Sequence, residues 1–341
     1  MKAIGILPGD SRLGGNALTS LELERPVPKP RDILVQVEAV SVNPLDIRMR
    51  NAPLEAGFQP RVLGWDCAGI VLDCGSEVRL FKPGDHVFYA GSITRTGTNA
   101  ELHLVDERIV GAMPVSLDFA HAAALPLASL AAWEALFDRL CISDAGENSG
   151  KTLLVIGGSG GVGSVAIQLA KVLARLQVVA TASRSTSQAW CRQLGADIVI
   201  DHRADLRTQL IDYGLSTVDY ILCLADTDYY FSTMASLIKP HGHICALVES
   251  ANPLPMNQLR SKSASFSWEG MFTRTLYSTP DMIEQHRILT RIATLVDEGR
   301  MGSIATKIIH GMTEVNLRQA HAFLEAGGIA GKIVISMQPP L

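Results

Sequence analysis

The chain has 341 residues, of which 47% are apolar and 19% charged, and its formal net charge is −4. This composition is typical of a globular protein, not of a disordered one, and the length favours about two domains. A negative charge balance argues against nucleic-acid binding, which usually shows as a basic excess. The sequence has no run of about 18 apolar residues that would indicate a membrane-spanning helix.

The N-terminal residues 1–8 form too short an apolar stretch for a signal peptide and are predicted to be a first strand. We therefore expect a cytoplasmic protein that does not act at a membrane. The six cysteines include no C-x-x-C pair, and several stand in apolar runs. Such cysteines are expected to be free, buried thiols.

Short strands separated by turns fill the first third of the chain. Residues 33–39 alternate in polarity, 67–73 form an apolar run, and 82–85 make a turn before His86–Tyr89. This pattern predicts a barrel-like or sandwich β unit. Residues 122–140 are rich in Ala and Leu and are predicted to be helical.

Strands and helices alternate over residues 151–248. The predicted strands are 152–156, 178–182, 198–200, 218–223 and 244–248, and the predicted helices are 162–174, 187–194 and 229–238. This alternation predicts a parallel sheet. After Pro253 the alternation stops, and an amphipathic helix at 281–298 precedes a terminal strand at 331–335. The chain is therefore predicted to be an α/β protein in which a Rossmann parallel-sheet domain is inserted in a β-rich domain built from both ends.

A glycine-rich loop joins the first strand of this alternation to its helix. Its residues, Gly158-Ser159-Gly160-Gly161-Val162-Gly163, fit the pattern G-x-G-x-x-G. Between a strand and a helix, the glycines allow a tight turn, close approach to a pyrophosphate, and contact of the helix with the strand. The helix N-terminus adds N–H groups for the phosphates. The loop predicts dinucleotide binding; the alternative is a plain glycine-rich turn.

The end of the next predicted strand, 178–182, indicates whether the dinucleotide is NADH or NADPH. An NAD enzyme carries an Asp or Glu there for the ribose 2′-hydroxyl. Here the segment 180–185 contains no carboxylate. Ser183 and Arg184 instead offer a donor and a charged fork for a 2′-phosphate, and this favours NADPH over NADH. The alternative is that Arg184 is a solvated loop cation.

Several ordered stretches resemble the medium-chain dehydrogenase/reductase superfamily, and within it the zinc-independent quinone oxidoreductases. The matching stretches are SVNPLD at 41–46, LGWDCAG at 63–69, FKPGDHV at 81–87, LPLASL at 125–130, the glycine loop, MFTR at 271–274 and GK at 331–332. The resemblance is greatest to the branch labelled zinc-type alcohol dehydrogenase-like. It implies a Rossmann NADP-binding domain at 126–265, inserted in a GroES-like catalytic domain at 1–125 and 266–341, and a homodimer.

The label of that branch implies zinc, and zinc would need ligands from this chain. In the zinc enzymes of the superfamily, Cys, His and Cys hold the catalytic ion at positions that correspond to Asn43, Trp65 and Ser129. None of these residues is a thiolate, imidazole or carboxylate, the donors that zinc requires. The segment that corresponds to the structural-zinc lobe, residues 89–99, contains no cysteine. We therefore expect no metal.

The resemblance also implies a set of site residues. The residues expected to bind the cofactor are Asn43, Ser159, Gly160, Gly161, Val162, Ser183, Arg184, His202, Leu224, Phe272 and Lys332. Asn43, Arg48, Tyr89, Ile93 and Phe272 are the candidates around the reacting groups. Three alternatives stay open: Tyr89 as a core aromatic, Arg48 as a solvated cation, and Asp46 as a helix cap. Relatives commonly carry a Thr where Ala131 stands, so the contacts to the nicotinamide carboxamide are expected to differ.

Without zinc, a plain alcohol has no Lewis acid to lower its pKa. Quinones and α,β-unsaturated carbonyls accept hydride without that help. We therefore expect transfer of hydride from NADPH to such a small-molecule electron acceptor, in a cleft between the two domains. A 2-enoyl-thioester reductase and a non-catalytic NADPH-binding protein with a structural or regulatory role are the alternatives.

Overall fold

The computed structural model describes residues 1–8, 18–52, 54 and 59–337. The chain divides into two compact units. Unit 1 consists of Met1–Leu127 and Phe272–Leu341, and unit 2 consists of Ala128–Met271. Unit 2 is therefore an insertion in the sequence of unit 1.

The first part of unit 1 is mostly β structure. Its strands are β1 (Lys2–Ile6), β2 (Leu18–Glu22), β3 (Asp32–Val42), β4 (Arg61–Val62), β5 (Cys67–Cys74), β6 (His86–Tyr89), β7 (Leu102–Asp106) and β8 (Val110–Ala112). Its helices are α1 (Pro44–Asn51) and α2 (Phe119–Ala123). β2, β1 and β4 form a small antiparallel sheet. β3 is the longest strand, because its apolar residues are buried almost without interruption, and it pairs with both β5 and β7.

The predicted helix at 122–140 is divided in the structure. α2 ends at Ala123, α3 spans Pro126–Trp133, and a π-helical turn covers Glu134–Arg139. Pro126 has no backbone N–H and therefore begins a new helix at its first position. The whole apolar stretch Phe119–Arg139 is long enough to cross a membrane, but 78% of its most apolar window is buried in the protein, as in a core helix.

Unit 2 is a doubly wound parallel sheet. Its strands are β9 (Thr152–Ile156), β10 (Gln177–Thr181), β11 (Ile198–Ile200), β12 (Val218–Cys223), β13 (Ile238–Ala246) and β14 (Ser265–Trp268). Its further helices are α4 (Gly161–Val172), α5 (Ser185–Gln193), α6 (Leu206–Asp212), α7 (Thr227–Leu237) and α8 (Asn257–Arg260). The strand order is β11-β10-β9-β12-β13-β14, and each adjacent pair is parallel. This order is that of a Rossmann domain, so the predicted parallel sheet is confirmed.

The chain returns to unit 1 after Met271. The remaining elements are α9 (Thr273–Leu276), α10 (Glu284–Asp297), β15 (Ala305–His310), α11 (Glu314–Glu325) and β16 (Lys332–Ser336). β16 pairs with β3, which joins the C-terminal strand to the larger sheet of this unit. α10 buries residues at helical spacing, including Ile288, Leu289 and Ile292, as its amphipathic pattern predicts.

The sequence predicts that the Rossmann domain ends at residue 265. In the structure, unit 2 ends at Met271, and unit 1 resumes at Phe272. β14 pairs with β13 in the parallel sheet, so this segment belongs to unit 2. Because β14 is short and mixes Ser with aromatic residues, its sequence lacks the apolar run that marks the other strands.

Candidate functional site

The glycine loop follows β9 and ends in the first turn of α4. Gly157 has a φ of +87°, a conformation that L side chains rarely adopt, and it turns the chain away from the strand. A Cβ at Gly163 would lie 2.6 Å from the carbonyl oxygens of both Gly157 and Gly158. Glycine at position 163 therefore lets α4 begin directly against the loop.

The loop leaves its polar backbone accessible. Ser159, Gly160, Gly161 and Val162 are partly exposed, and Gly160 is the N-cap of α4. The first N–H groups of a helix have no intrahelical acceptor and carry the positive end of its dipole. The loop and the α4 N-terminus together therefore fit an anionic group such as a pyrophosphate.

The loop lies where the strand order reverses. β9 has β10 on one side and β12 on the other, and ligands of such sheets bind at this switch point. Leu224 directly follows β12, is partly exposed, and donates its N–H to the Ile156 oxygen over 2.9 Å. The structure thus brings Leu224 next to the glycine loop.

The end of β10 lies against the same loop. The Gly157 N–H donates to Thr181 Oγ1 over 3.0 Å, and the Gly158 N–H donates to the Thr181 oxygen over 3.2 Å. Beyond Thr181, Ser183 is partly exposed and Arg184 is exposed at the N-cap of α5. These two residues therefore stand at the strand end where a Rossmann domain meets the adenosine ribose.

Unit 1 contains a buried polar cluster around Lys332. The Lys332 ammonium donates to Ser41 Oγ over 2.9 Å, to Asn43 Oδ1 over 2.5 Å and to Asp66 Oδ2 over 2.8 Å. Lys332 is only 5% exposed. An ammonium has three hydrogens, and all three have a partner inside unit 1. Lys332 thus holds Asn43 in place within unit 1, and its expected contact with the cofactor stays a prediction.

The Asn43 amide has a fixed orientation in this cluster. Its Nδ2 donates to Asp66 Oδ2 over 2.9 Å while its Oδ1 faces the Lys332 ammonium. Asp66 uses its other oxygen to accept the Leu127 N–H over 2.8 Å. The Asn43 side chain is thus held from both ends. Sequence reasoning did not assign Asp66 this role, although Asp66 stands in one of the matching stretches.

Asp46 caps the helix that carries Arg48. It occupies the third position of α1, and its Oδ2 accepts the backbone N–H of Asn43, the N-cap, over 2.7 Å. Burial raises the pKa of Asp46 to about 7, although the Asn43 N–H and the nearby Lys332 ammonium oppose this shift. The capping alternative left open by the sequence is the one that the structure favours.

Tyr89 lies in the core of unit 1. Its side chain has no exposed surface, and its hydroxyl lies 3.0 Å from Nδ1 of His103. His103 Nε2 lies 2.8 Å from the Thr96 oxygen and must donate to it, so Nδ1 accepts from Tyr89. Burial lowers the pKa of His103 to about 4, which keeps the ring neutral. These surroundings favour the core-aromatic alternative for Tyr89.

The other site residues predicted from the sequence differ in their exposure to solvent. Arg48 is exposed, and Ile93 and Phe272 are partly exposed, all in unit 1. His202, which follows β11, is partly exposed in unit 2. Ala131 is buried in α3, and its methyl group offers no hydrogen bond to a carboxamide.

The donor groups do not fit zinc. Asn43 is engaged with Asp66 and Lys332, Trp65 is buried, and Ser129 is a neutral hydroxyl with no exposed surface. Across residues 1–8, 18–52, 54 and 59–337, no three His, Cys, Asp or Glu side chains are grouped as a metal site. The absence of metal stays a prediction.

Two family profiles match the chain. The profile of the alcohol dehydrogenase GroES-like domain covers residues 29–115, and that of the zinc-binding dehydrogenase family covers residues 194–335. The second range includes none of the three positions that correspond to the catalytic zinc ligands. The first profile confirms the GroES-like domain in unit 1.

Relatives match over nearly the whole chain. A zinc-type alcohol dehydrogenase-like protein of Staphylococcus aureus (strain MSSA476) is 43% identical over 99% of this chain and 100% of its own length. The human mitochondrial NAD(P)H oxidoreductase RTN4IP1 is 36% identical, over 90% of this chain and 82% of its own length. A crystal structure from Rhizobium etli CFN 42, described as a zinc-dependent alcohol dehydrogenase protein, has 44% identity and a TM-score of 0.93 over 100% of this chain and 99% of that one. The chain therefore belongs to the medium-chain dehydrogenase/reductase superfamily of NAD(P)-binding oxidoreductases.

Proposed function

We propose that the protein is an NADPH-dependent reductase that transfers hydride to a quinone or an α,β-unsaturated carbonyl compound. The observation that carries this proposal is the end of β10: residues 180–185, next to the glycine loop, contain Ser183 and Arg184 and no carboxylate. An acid there would accept the 2′-hydroxyl of NADH and repel the 2′-phosphate of NADPH. When bound, NADPH supplies the hydride.

Each cofactor group is assigned to residues of the chain. Ser159, Gly160, Gly161 and Val162 bind the pyrophosphate through the loop and the helix N-terminus. Ser183 and Arg184 bind the 2′-phosphate, with His202 beside it, and Leu224 lines the cofactor. Asn43, Arg48 and Phe272 are the proposed contacts of the nicotinamide and the acceptor. Lys332 and Asp66 hold the Asn43 amide in one orientation.

The proposed class of hydride acceptor follows from the side chains at the positions of the zinc ligands. Because Asn43, Trp65 and Ser129 provide no zinc site, the protein has no Lewis acid at these positions to activate an alcohol. An electron-poor double bond accepts hydride directly, so the chain needs only to position the reactants and exclude water. The proton that completes the reduction then comes from solvent.

Two other functions would use the same dinucleotide site. A 2-enoyl-thioester reductase would need a cationic rim for the phosphate groups of the thioester carrier. A structural or regulatory NADPH-binding protein would bind the cofactor tightly without turnover. A panel of quinones, enones and enoyl thioesters, with NADPH consumption as the readout, distinguishes the three.

The Arg184→Glu variant tests the cofactor assignment. We expect its affinity for NADPH to fall at least about tenfold, or about 1.4 kcal/mol, while its affinity for NADH changes little. Titration of cofactor fluorescence with the purified protein measures both. Arg192→Glu, which makes the same charge change at the exposed far end of α5, is the matched control. Equal losses for NADPH and NADH in the Arg184 variant would contradict the 2′-phosphate assignment.

We further propose a homodimer in the cytoplasm. The proposal follows the family resemblance. Light scattering of the purified full-length protein measures the mass in solution: about twice 36.7 kDa is expected, and a single-chain mass would contradict it.

A further inference from the structure

An ion pair between Asp201 and Arg203, the two neighbours of His202, lies directly beside Ser183. Arg203 Nη2 donates to the carbonyl oxygen of Ser183 over 2.9 Å. The same guanidinium holds Asp201 with Nε 3.1 Å from both carboxylate oxygens and Nη2 2.6 Å from Oδ2. Arg203 therefore connects an acid at the end of β11 to the residue proposed to meet the 2′-phosphate.

The sheet places this pair at the adenosine end of the cofactor site. β11 runs parallel to β10, with Thr181 opposite Ile200. The Ala182 N–H donates to the Ile200 oxygen over 2.9 Å, so the chain after Ile200 leaves the sheet next to the chain after Thr181. Asp201 and Arg203 thus lie beside the strand end that a Rossmann domain uses to select its dinucleotide.

We propose that Arg203 is a second specificity-determining cation for the 2′-phosphate of NADPH, and that it also neutralises Asp201 at this site. The inference rests on the proposed NADPH dependence and deepens it. Arg203 Nη1 makes no hydrogen bond within the part of the chain that the structure describes, so two N–H groups remain for a phosphate oxygen. With Arg184, Arg203 gives two forked cations for one dianionic group.

Asp201 explains why a second cation is needed. Hydrogen bonds from Arg203 lower the pKa of Asp201 to about 2, so this carboxylate is charged at neutral pH. An unpaired carboxylate next to the ribose would repel a 2′-phosphate and accept a 2′-hydroxyl, as in NAD enzymes. The loss of Arg203 therefore removes an attraction and exposes a repulsion. Both effects disfavour NADPH, and neither disfavours NADH.

Four variants of the full-length protein test the proposal: Arg203→Ala, Arg203→Lys, Asp201→Asn/Arg203→Ala and the control Arg192→Ala. Dissociation constants for NADPH and NADH are measured by fluorescence titration. We expect Arg203→Ala to weaken NADPH binding at least about tenfold, or about 1.4 kcal/mol, with NADH unchanged or bound more tightly. The double variant should recover at least about a third of the lost free energy, because the unpaired carboxylate is gone. Arg203→Lys should keep part of the NADPH preference, and Arg192→Ala should match the wild type.

Three results would overturn all or part of the proposal. Arg203→Ala could weaken both dinucleotides equally, which would make Arg203 a purely structural link to Ser183, or it could leave both unchanged. A double variant no better than Arg203→Ala would overturn the role of Asp201. Failure of the proposed NADPH dependence gives a different result from failure of the Arg203 role. In that case the wild-type protein would bind NADPH and NADH equally well, and Arg184→Glu would change both affinities to the same extent.

Discussion

Replacement of Lys332 by methionine is expected to lower the free energy of unfolding of unit 1 by about 3–5 kcal/mol. The side chains are similar in length, but the variant leaves the buried Asp66 carboxyl group without its cation. Asp66 has no exposed surface, and its Oδ2 lies 2.8 Å from the Lys332 ammonium. Because Asn43 loses the partner of its Oδ1, hydride transfer should also slow. Urea unfolding followed by fluorescence measures the first effect.

Two variants control this experiment. Lys332→Met/Asp66→Asn removes both charges and keeps an oxygen for the Leu127 N–H, so it should regain part of the lost stability. Lys171→Met breaks the partly exposed ion pair with Asp197 and should cost no more than about 1 kcal/mol. A Lys332→Met variant as stable as Lys171→Met would show that the buried cluster is not held by its charge.

Substitution of Gly163 by alanine is expected to weaken NADPH binding about 100-fold, or about 2.7 kcal/mol. The added Cβ would lie 2.6 Å from two carbonyl oxygens of the loop, so the start of α4 must shift away. The N–H groups proposed to bind the pyrophosphate shift with it. The same strain should lower the free energy of unfolding by about 1–3 kcal/mol. Cofactor titration and urea unfolding measure the two effects.

Gly160→Ala is the matched variant in the same loop. The nearest atom to its Cβ would be the Gly157 oxygen at 3.7 Å, an ordinary contact, so the protein should keep its stability. NADPH affinity should still fall, since the proposed pyrophosphate contact needs a close approach of the backbone at this glycine. If Gly163→Ala binds NADPH as tightly as the wild type, the loop is a structural turn and not the cofactor site.

The parts of the fold with strong local signals were predictable from the sequence. The alternating apolar runs and helices between β9 and β13 specify a parallel sheet, and the glycine loop is contained in six successive residues. β14 was not predicted, because its residues Ser265–Trp268 lack an apolar run. Only the pairing with β13 makes them a strand. The break before α3 follows from Pro126, a signal that the Ala- and Leu-rich composition concealed.

The parts of the site that depend on tertiary pairing were not predictable. Lys332 meets Asp66 across 266 positions of the chain and Asn43 across 289. Such partners are set by the pairing of β16 with β3 and β3 with β5, which residue patterns alone do not specify. For the same reason the sequence left open whether Tyr89 faces a pocket or the core.

The most direct test of the account is NADPH oxidation by purified, chelator-treated protein with a panel of quinones and enones, monitored at the absorbance of the reduced cofactor. Elemental analysis of the same sample establishes that it contains no stoichiometric zinc. We expect turnover with at least one acceptor, with NADPH preferred over NADH, and no change when zinc is added. Activity that the chelator abolishes and zinc restores, or tight NADPH binding without turnover on any acceptor, would contradict the account.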